Sequence, residues 1–281
     1  MKQYSAKYDL IFQQSMCTEN NQDILKWFLE HLLETDIKNL KVLSPVLPIS
    51  TLYERKKTVD VLVETDEGRI NIEVNNTYYK ALNKRNFGYL GAAYNASMKS
   101  SKDINKMPHF MQINLTWNLT REFANDPILV YEVLEKKHGS RFIDNLKIIV
   151  YNMDYFKKLY YNGDKEKYKH LLMLDLTGNE LKKLCEGDDI MEKFQKNARA
   201  LNKNEDVVNF LTAEEEDEIL KNTFKSEGYD EGLAKGEAKG KAKGKKESTL
   251  EIAKNLLNLN IDINDIVKAT GLSKAKIESL K

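Results

Sequence analysis

Asp60, Glu73 and Asn75 are the residues whose types and spacing could do chemistry together. They fall in TVDVLVETDEGRINIEVNN, residues 58–76. Thr58, Asp60, Leu62 and Glu64 alternate with Val59, Val61 and Val63, the period of a half-buried strand. Arg69, Asn71, Glu73 and Asn75 alternate with Ile70, Ile72 and Val74 in the same way. If Asp66-Glu67 is a two-residue loop, Thr65 faces Gly68 and counting back sets Asp60 opposite Glu73. A three-residue loop with Gly68 in a bulge shifts the register by one place and keeps the carboxylates near each other. Like charges facing across paired strands repel, and a divalent cation between them would remove the repulsion. The backbone carbonyl of Val74 is a further candidate oxygen ligand.

A cation held this way can bind a phosphate oxygen as a Lewis acid and lower the pKa of a water. Asn75 shares the face of Glu73 and could orient that water, although an amide cannot act as a general base. Lys56 shares the parity of Asp60 and could supply positive charge. One helix onward, Arg85, Tyr89 and Ala92 or Ala93 share a helical face; an arginine there could grip a phosphate bidentately, with Tyr89 packing beside it. The plain alternatives are a solvent-facing hairpin, of which Glu64 opposite Arg69 would be an ordinary cross-strand pair, and a surface salt bridge for Arg85.

Several elements must position these residues. ENNQDILKWFLEHLLET (19–35) has the spacing of an amphipathic helix, with Ile24, Trp27, Phe28 and Leu32 on its apolar side. KNLKVLSPVLPI reads as a first strand ended or confined to an edge by Pro45 and Pro48. After the hairpin, residues 77–100 read as a long helix with Leu82, Tyr89, Ala93 and Met98 near one face. HFMQINLTWNL, with Met111, Ile113, Leu115 and Trp117 alternating, is a strand; LKIIVYNM (146–153) and HLLMLDL (170–176) are further short apolar runs. The order predicts a mixed α/β domain over residues 1–225.

The composition bounds the alternatives. Lys+Arg 44 against Asp+Glu 43 gives +1 over 281 residues, so any basic surface must be local. No apolar run reaches bilayer length and MKQYSAKYDLIF lacks an apolar signal segment, so no membrane is expected. Cys17 and Cys185 are too few for a disulfide framework, and a cytoplasmic setting is expected. His31, His109, His138 and His170 are scattered, which argues against zinc and for an oxygen-bound Mg²⁺ or Mn²⁺.

The C-terminal part differs in kind. Gly228, Gly232, Gly236, Gly240 and Gly244 recur every fourth residue, defining a connector over 226–248 with six lysines against one glutamate between Lys235 and Lys246. Its readings are a solvated connector, a helical arm that makes a homo-oligomer, or a basic contact with nucleic acid. Residues 249–281 read as a small helical tail: Leu250, Ala253, Leu256 and Leu257 form one face, Asp262 or Asn264 caps a second helix and Ser273 a third. The Thr270-Gly271-Leu272-Ser273 turn resembles a helix-turn-helix.

Taken in order, these motifs resemble the PD-(D/E)XK nuclease family transposases, or recombination-promoting nucleases. KYDLIF (7–12) resembles the opening D-x-x-F element, residues 58–75 the D…IE-x-Q core, and NKRNFGYLGAAY (83–94) the R-x-x-x-Y helix; HFMQINLTW, HLLMLDLTGNELKKL and the glycine repeat with IAKNLL…IVKATGLS follow. The resemblance implies a restriction-endonuclease-like mixed sheet flanked by helices, with a C-terminal helical tail, and metal-dependent cleavage of DNA in recombination or mobile-element biology. Carried over by position, Asp60 and Glu73 would be metal ligands, Asn75 would stand at the usual glutamine, and Asp9 would be the accessory acid of the first helix. Two positions depart from the pattern: Gln13 follows Phe12 where lysine is common, and Asn75 is one methylene short. The expected activity is therefore Mg²⁺-dependent DNA endonuclease; its rivals are a catalytically weakened DNA-binding protein and a regulator whose tail reads sequence.

Overall fold

The computed structural model describes residues 2–43, 61–100, 105 and 107–280. Lys56, Asp60, Pro45 and Pro48 lie outside the described residues. The described chain divides into two units, 1–212 and 213–281.

The first unit is built on a six-stranded mixed sheet in the order β1-β2-β3-β4-β6-β5. Its strands are β1 (Leu40–Val42), β2 (Val61–Thr65), β3 (Gly68–Asn75), β4 (His109–Thr116), β5 (Ile128–Tyr131) and β6 (Leu146–Asn152). The hairpin has the two-residue loop: Thr65 pairs with Gly68, Glu64 with Arg69, and the described register ends at Val61 opposite Ile72. Gly68 is required there. Its φ is +146°, and a Cβ would lie 2.3 Å from the His109 carbonyl oxygen, because β4 starts directly alongside. β3, β4 and β6 are parallel, and each outer strand joins antiparallel.

Alternation gives β3 and β4 two faces. Ile70, Ile72, Val74, Ile113 and Leu115 enter a large core with α1 (Asp9–Met16) and α2 (Gln22–Leu33). The ring of Phe12 meets that of Phe28 edge-on at 6.2 Å in this core. The opposite face lies under α3 (Leu82–Ser100), where Leu90 and Ala93 pack on Phe110, with Leu62, Leu146 and Ile148 at the margin. Leu82, Asn86, Leu90 and Ala93 are the buried stripe of α3; Tyr89 is half-buried and Met98 is exposed, so the stripe runs through Asn86 rather than through Tyr89 and Met98.

HLLMLDL is not a strand. His170, Leu171 and Leu172 complete α5 (Lys165–Leu172), and turn bonds from the Leu174 and Asp175 amides to Leu171 and Leu172 carry the chain out of it. The run has no β-branched residue, and KEKYK before it is made of helix formers. Asp175 accepts ion pairs from Lys7 and Lys157; burial alone would push its carboxyl up, but these bonds hold it below the usual carboxylate range. α4 (Met153–Tyr161), α6 (Gly178–Cys185) and α7 (Asp189–Leu201) surround the apolar face, and β5 adds an edge strand; the sequence pattern had not marked any of them.

The C-terminal unit is helical. α8 (Glu205–Asn258) runs unbroken through the glycine repeat, followed by α9 (Ile263–Thr270) and α10 (Lys274–Glu278). Ala253, Ile266 and Ile277 form a small core with Leu256, Leu257, Val267 and Leu272 around it. The Asp262 side chain caps α9 by accepting from the Asn264 amide at 2.8 Å. Gly271 ends α9 in a left-handed conformation, and Ser273 caps α10.

Candidate active site

Glu73 stands on β3 with no side-chain exposure, in the middle of a buried polar layer beneath α3. The parallel register sets Asn71 beside Gln112, Glu73 beside Asn114 and Asn75 beside Thr116. All six are buried, as is Asn86 on the helix above. Burying a carboxylate among uncharged amides is costly unless hydrogen bonds or a cation compensate. Among the described residues, the Asn71 amide nitrogen donates to Glu73 Oε1 at 3.1 Å.

The amides continue away from Glu73. Arg85 donates through Nη2 to Asn75 Oδ1 at 2.9 Å and through Nε to Asn86 Oδ1 at 3.2 Å. The Asn86 nitrogen reaches Asn114 Oδ1 at 3.1 Å and Asn75 Oδ1 at 3.4 Å. Gln112 Nε2 donates to Asn114 Oδ1 at 2.9 Å. The Arg85 guanidinium lies over Tyr79 and Tyr89, 5.7 and 5.8 Å from the ring centroids. Arg85 and Tyr89 thus meet on one helical face, and Arg85 reaches down to Asn75.

The donor set fits a hard divalent cation. Asn71 Oδ1 and Gln112 Oε1, neighbours across β3 and β4, are buried oxygens with no hydrogen-bond partner among the described residues. Among those residues no cluster of three His, Cys, Asp or Glu side chains could hold a metal; Glu73 is the carboxylate of the buried polar layer. Asp60, the expected second carboxylate, and Lys56 lie outside the described residues. Asp9 opens α1, with Oδ1 accepting from the Leu10 amide at 2.8 Å. Val74 turns its side chain into the apolar core on the other face of β3.

Sequence reasoning missed Asn71, Asn86, Gln112, Asn114 and Tyr79. The signal was present: Asn71, Gln112 and Asn114 break the apolar alternation on strands whose other faces are apolar. Asn86 sits one helical turn before Leu90, on the stripe that α3 buries.

A mixed sheet with helices on both faces and an acidic residue on its second hairpin strand is the architecture of a restriction-endonuclease-like nuclease domain. The PD-(D/E)XK nuclease family transposase model matches residues 6–226, and the chain belongs to that family. The C-terminal helix-turn-helix domain of the Rpn/YhgA-like nuclease family matches residues 246–281, which contain the end of α8, α9 and α10. Neither the curated proteins nor the solved structures gave a match to this chain. No helix among the described residues is long and apolar enough to cross a membrane.

Proposed function

We propose that the protein is a divalent-metal-dependent DNA endonuclease of the recombination-promoting type. The observation that carries this reading is the fully buried Glu73 carboxylate among oxygen-bearing amides, in a family of nucleases. Glu73 and Asp60 would hold Mg²⁺ or Mn²⁺, with the Val74 carbonyl as a further oxygen. A bound cation would supply a Lewis acid for a phosphate oxygen and a water of lowered pKa. Glu73 fixes the site by its rigid place on a central strand, and α3 excludes bulk water from the carboxylate. Asp9 would act as the accessory acid.

DNA would lie across the start of α3. Tyr79 and Phe87 are exposed there beside exposed Lys80 and Lys84, an arrangement suited to stacking and phosphate contact. The helix-turn-helix tail would add contacts through exposed Lys274 and Lys276 of α10, and Lys56 and the lysines of residues 235–246 would add phosphate contacts. A homo-oligomer through the glycine-bearing part of α8 is consistent with its unbroken helix, where a Cβ on Gly236, Gly240 or Gly244 would meet nothing within 4 Å. The site of action would be the cytoplasm, in keeping with Cys17 and Cys185 as free thiols.

The test is nicking of supercoiled plasmid in Mg²⁺, Mn²⁺ or EDTA, with wild type beside Asp60→Ala and Glu73→Ala. Metal-dependent nicking that both variants abolish is the expected result; equal cleavage by either variant overturns the site. A second reading, a DNA-binding protein that cuts weakly or not at all, is favoured by Asn75 itself, an uncharged amide one methylene shorter than the glutamine usual at this position. It predicts salt-dependent DNA binding that truncation after residue 225 removes, with no nicking in either metal.

A further inference from the structure

We propose that Arg85, Asn86, Asn114 and Gln112 are positioning residues that lock the Asn75 amide with its oxygen turned away and its nitrogen towards Glu73. Asn75 then serves as a hydrogen-bond donor to the phosphate, not as an oxygen ligand of the metal and not as a proton acceptor. The inference rests on the nuclease reading and adds to it a polarity, two residues with no earlier role, Asn86 and Asn114, and a second part for Gln112.

The polarity follows from chemistry that starts at Arg85. A guanidinium has donors and no acceptor, so whatever faces it must be oxygen. Its Nη2 holds Asn75 Oδ1 at 2.9 Å and its Nε holds Asn86 Oδ1 at 3.2 Å. With its oxygen fixed, Asn86 must turn its nitrogen to the sheet, where it meets Asn114 Oδ1 at 3.1 Å and Asn75 Oδ1 at 3.4 Å. Asn114 Oδ1 then also takes the donor of Gln112 at 2.9 Å. Each amide is oriented by the one before it, and the chain begins at a group that cannot reverse. Asn75 is left with its nitrogen on the Glu73 side, 3.4 Å from the Glu73 main-chain oxygen.

Turning Asn75 over would set its NH₂ against the guanidinium and against the Asn86 NH₂, leaving buried donors facing donors. Asn75, Asn86, Asn114 and Gln112 are all buried, so water is not there to relieve that conflict. The stack of Arg85 on Tyr79 and Tyr89 holds the starting point of the chain in place. A donor aimed at a phosphate oxygen stabilises developing negative charge, as a lysine would with full charge. Activation of the water must then fall to the metal carboxylates rather than to Asn75.

Two measurements test this, one of them independent of cleavage. In metal-free protein, the side-chain amide resonance of Asn75, assigned by its loss in Asn75→Ala, should shift or broaden in Asn86→Leu and in Asn86→Gln. It should stay fixed in Asn197→Ala, which removes an amide donor to Ser15 on α1. In the nicking assay, Asn86→Leu should lower the rate by about tenfold or more, as expected for a misplaced catalytic group. The metal concentration for half-maximal rate should be unchanged, and adding Asn86→Leu to Asn75→Ala should cost less than about twofold further. Thermal melting identifies which Asn86 variant is folded, and that one is used. An unchanged Asn75 resonance in a folded variant overturns the proposal, as does full multiplication of the two rate losses. A wild type that nicks in neither metal overturns the nuclease reading, while the resonance still decides the amide polarity.

Discussion

The two faces of β3 are made by one alternating stretch and do opposite jobs. Ile70, Ile72 and Val74 enter the large core against the helices of the first unit, whereas Asn71, Glu73 and Asn75 are equally buried beneath α3 yet polar. The apolar face contributes stability through area removed from water. The polar face spends some of that stability holding a carboxylate and several amides in a dry layer, a cost that a folded protein carries where geometry has a use. The apolar side also holds His170, packed edge-on to the rings of Trp27 and Phe28. It is kept there neutral: burial, and then nearby His31, push His170 down to about 3.

Truncating one face and neutralising the other should separate their jobs. Ile113→Ala, on the apolar face of β4 with no exposure, should cost about 2–5 kcal/mol in denaturant unfolding, with nicking per folded molecule retained. Glu73→Gln should do the reverse: melting unchanged or raised, because an amide replaces a buried charge, and metal-dependent nicking lost. A Glu73→Gln variant that unfolds would mean that the polar layer is structural after all.

The next largest effect is a pH dependence on the apolar side. With a folded pKa of about 3 against about 6.5 unfolded, the unfolded chain takes up the His170 proton first. Stability from this residue is therefore complete above about pH 6.5 and falls as pH drops towards 3. His170→Phe should flatten the loss of melting temperature between pH 6.5 and 4.5, as read by thermal scans. The smallest effect belongs to the rim of the polar face, where the half-exposed Glu64 accepts from Arg69 at 3.1 Å. Arg69→Ala should cost at most about 1 kcal/mol, less in high salt.

The hairpin was legible because its period-2 pattern and Asp-Glu-Gly turn leave few registers, and the described pairs agree with the two-residue loop. Asn39 then ties β1 to that turn through Asp66 at 2.7 and 2.8 Å, a contact across 27 residues that local pattern cannot show. The helices after β6 were illegible for a different reason. Apolar runs such as HLLMLDL are compatible with strand or helix until one knows which surface they must cover. α5 was decided by packing: His170 meets Phe28 edge-on, and Leu171 enters the same core as Phe28 and Phe156.

By itself, then, the sequence determined the strand periods, a helix cap at Asp262 or Asn264 and another at Ser273, and the α/β order. Those follow from local stereochemistry and side-chain type. Only the tertiary structure decided that Asn86 from α3 reaches both Asn75 on β3 and Asn114 on β4, that Gln112 joins Asn114, and that Arg85 sets their direction. Hydrogen-bond polarity belongs to a network closed across three elements, and no spacing along a single chain encodes it.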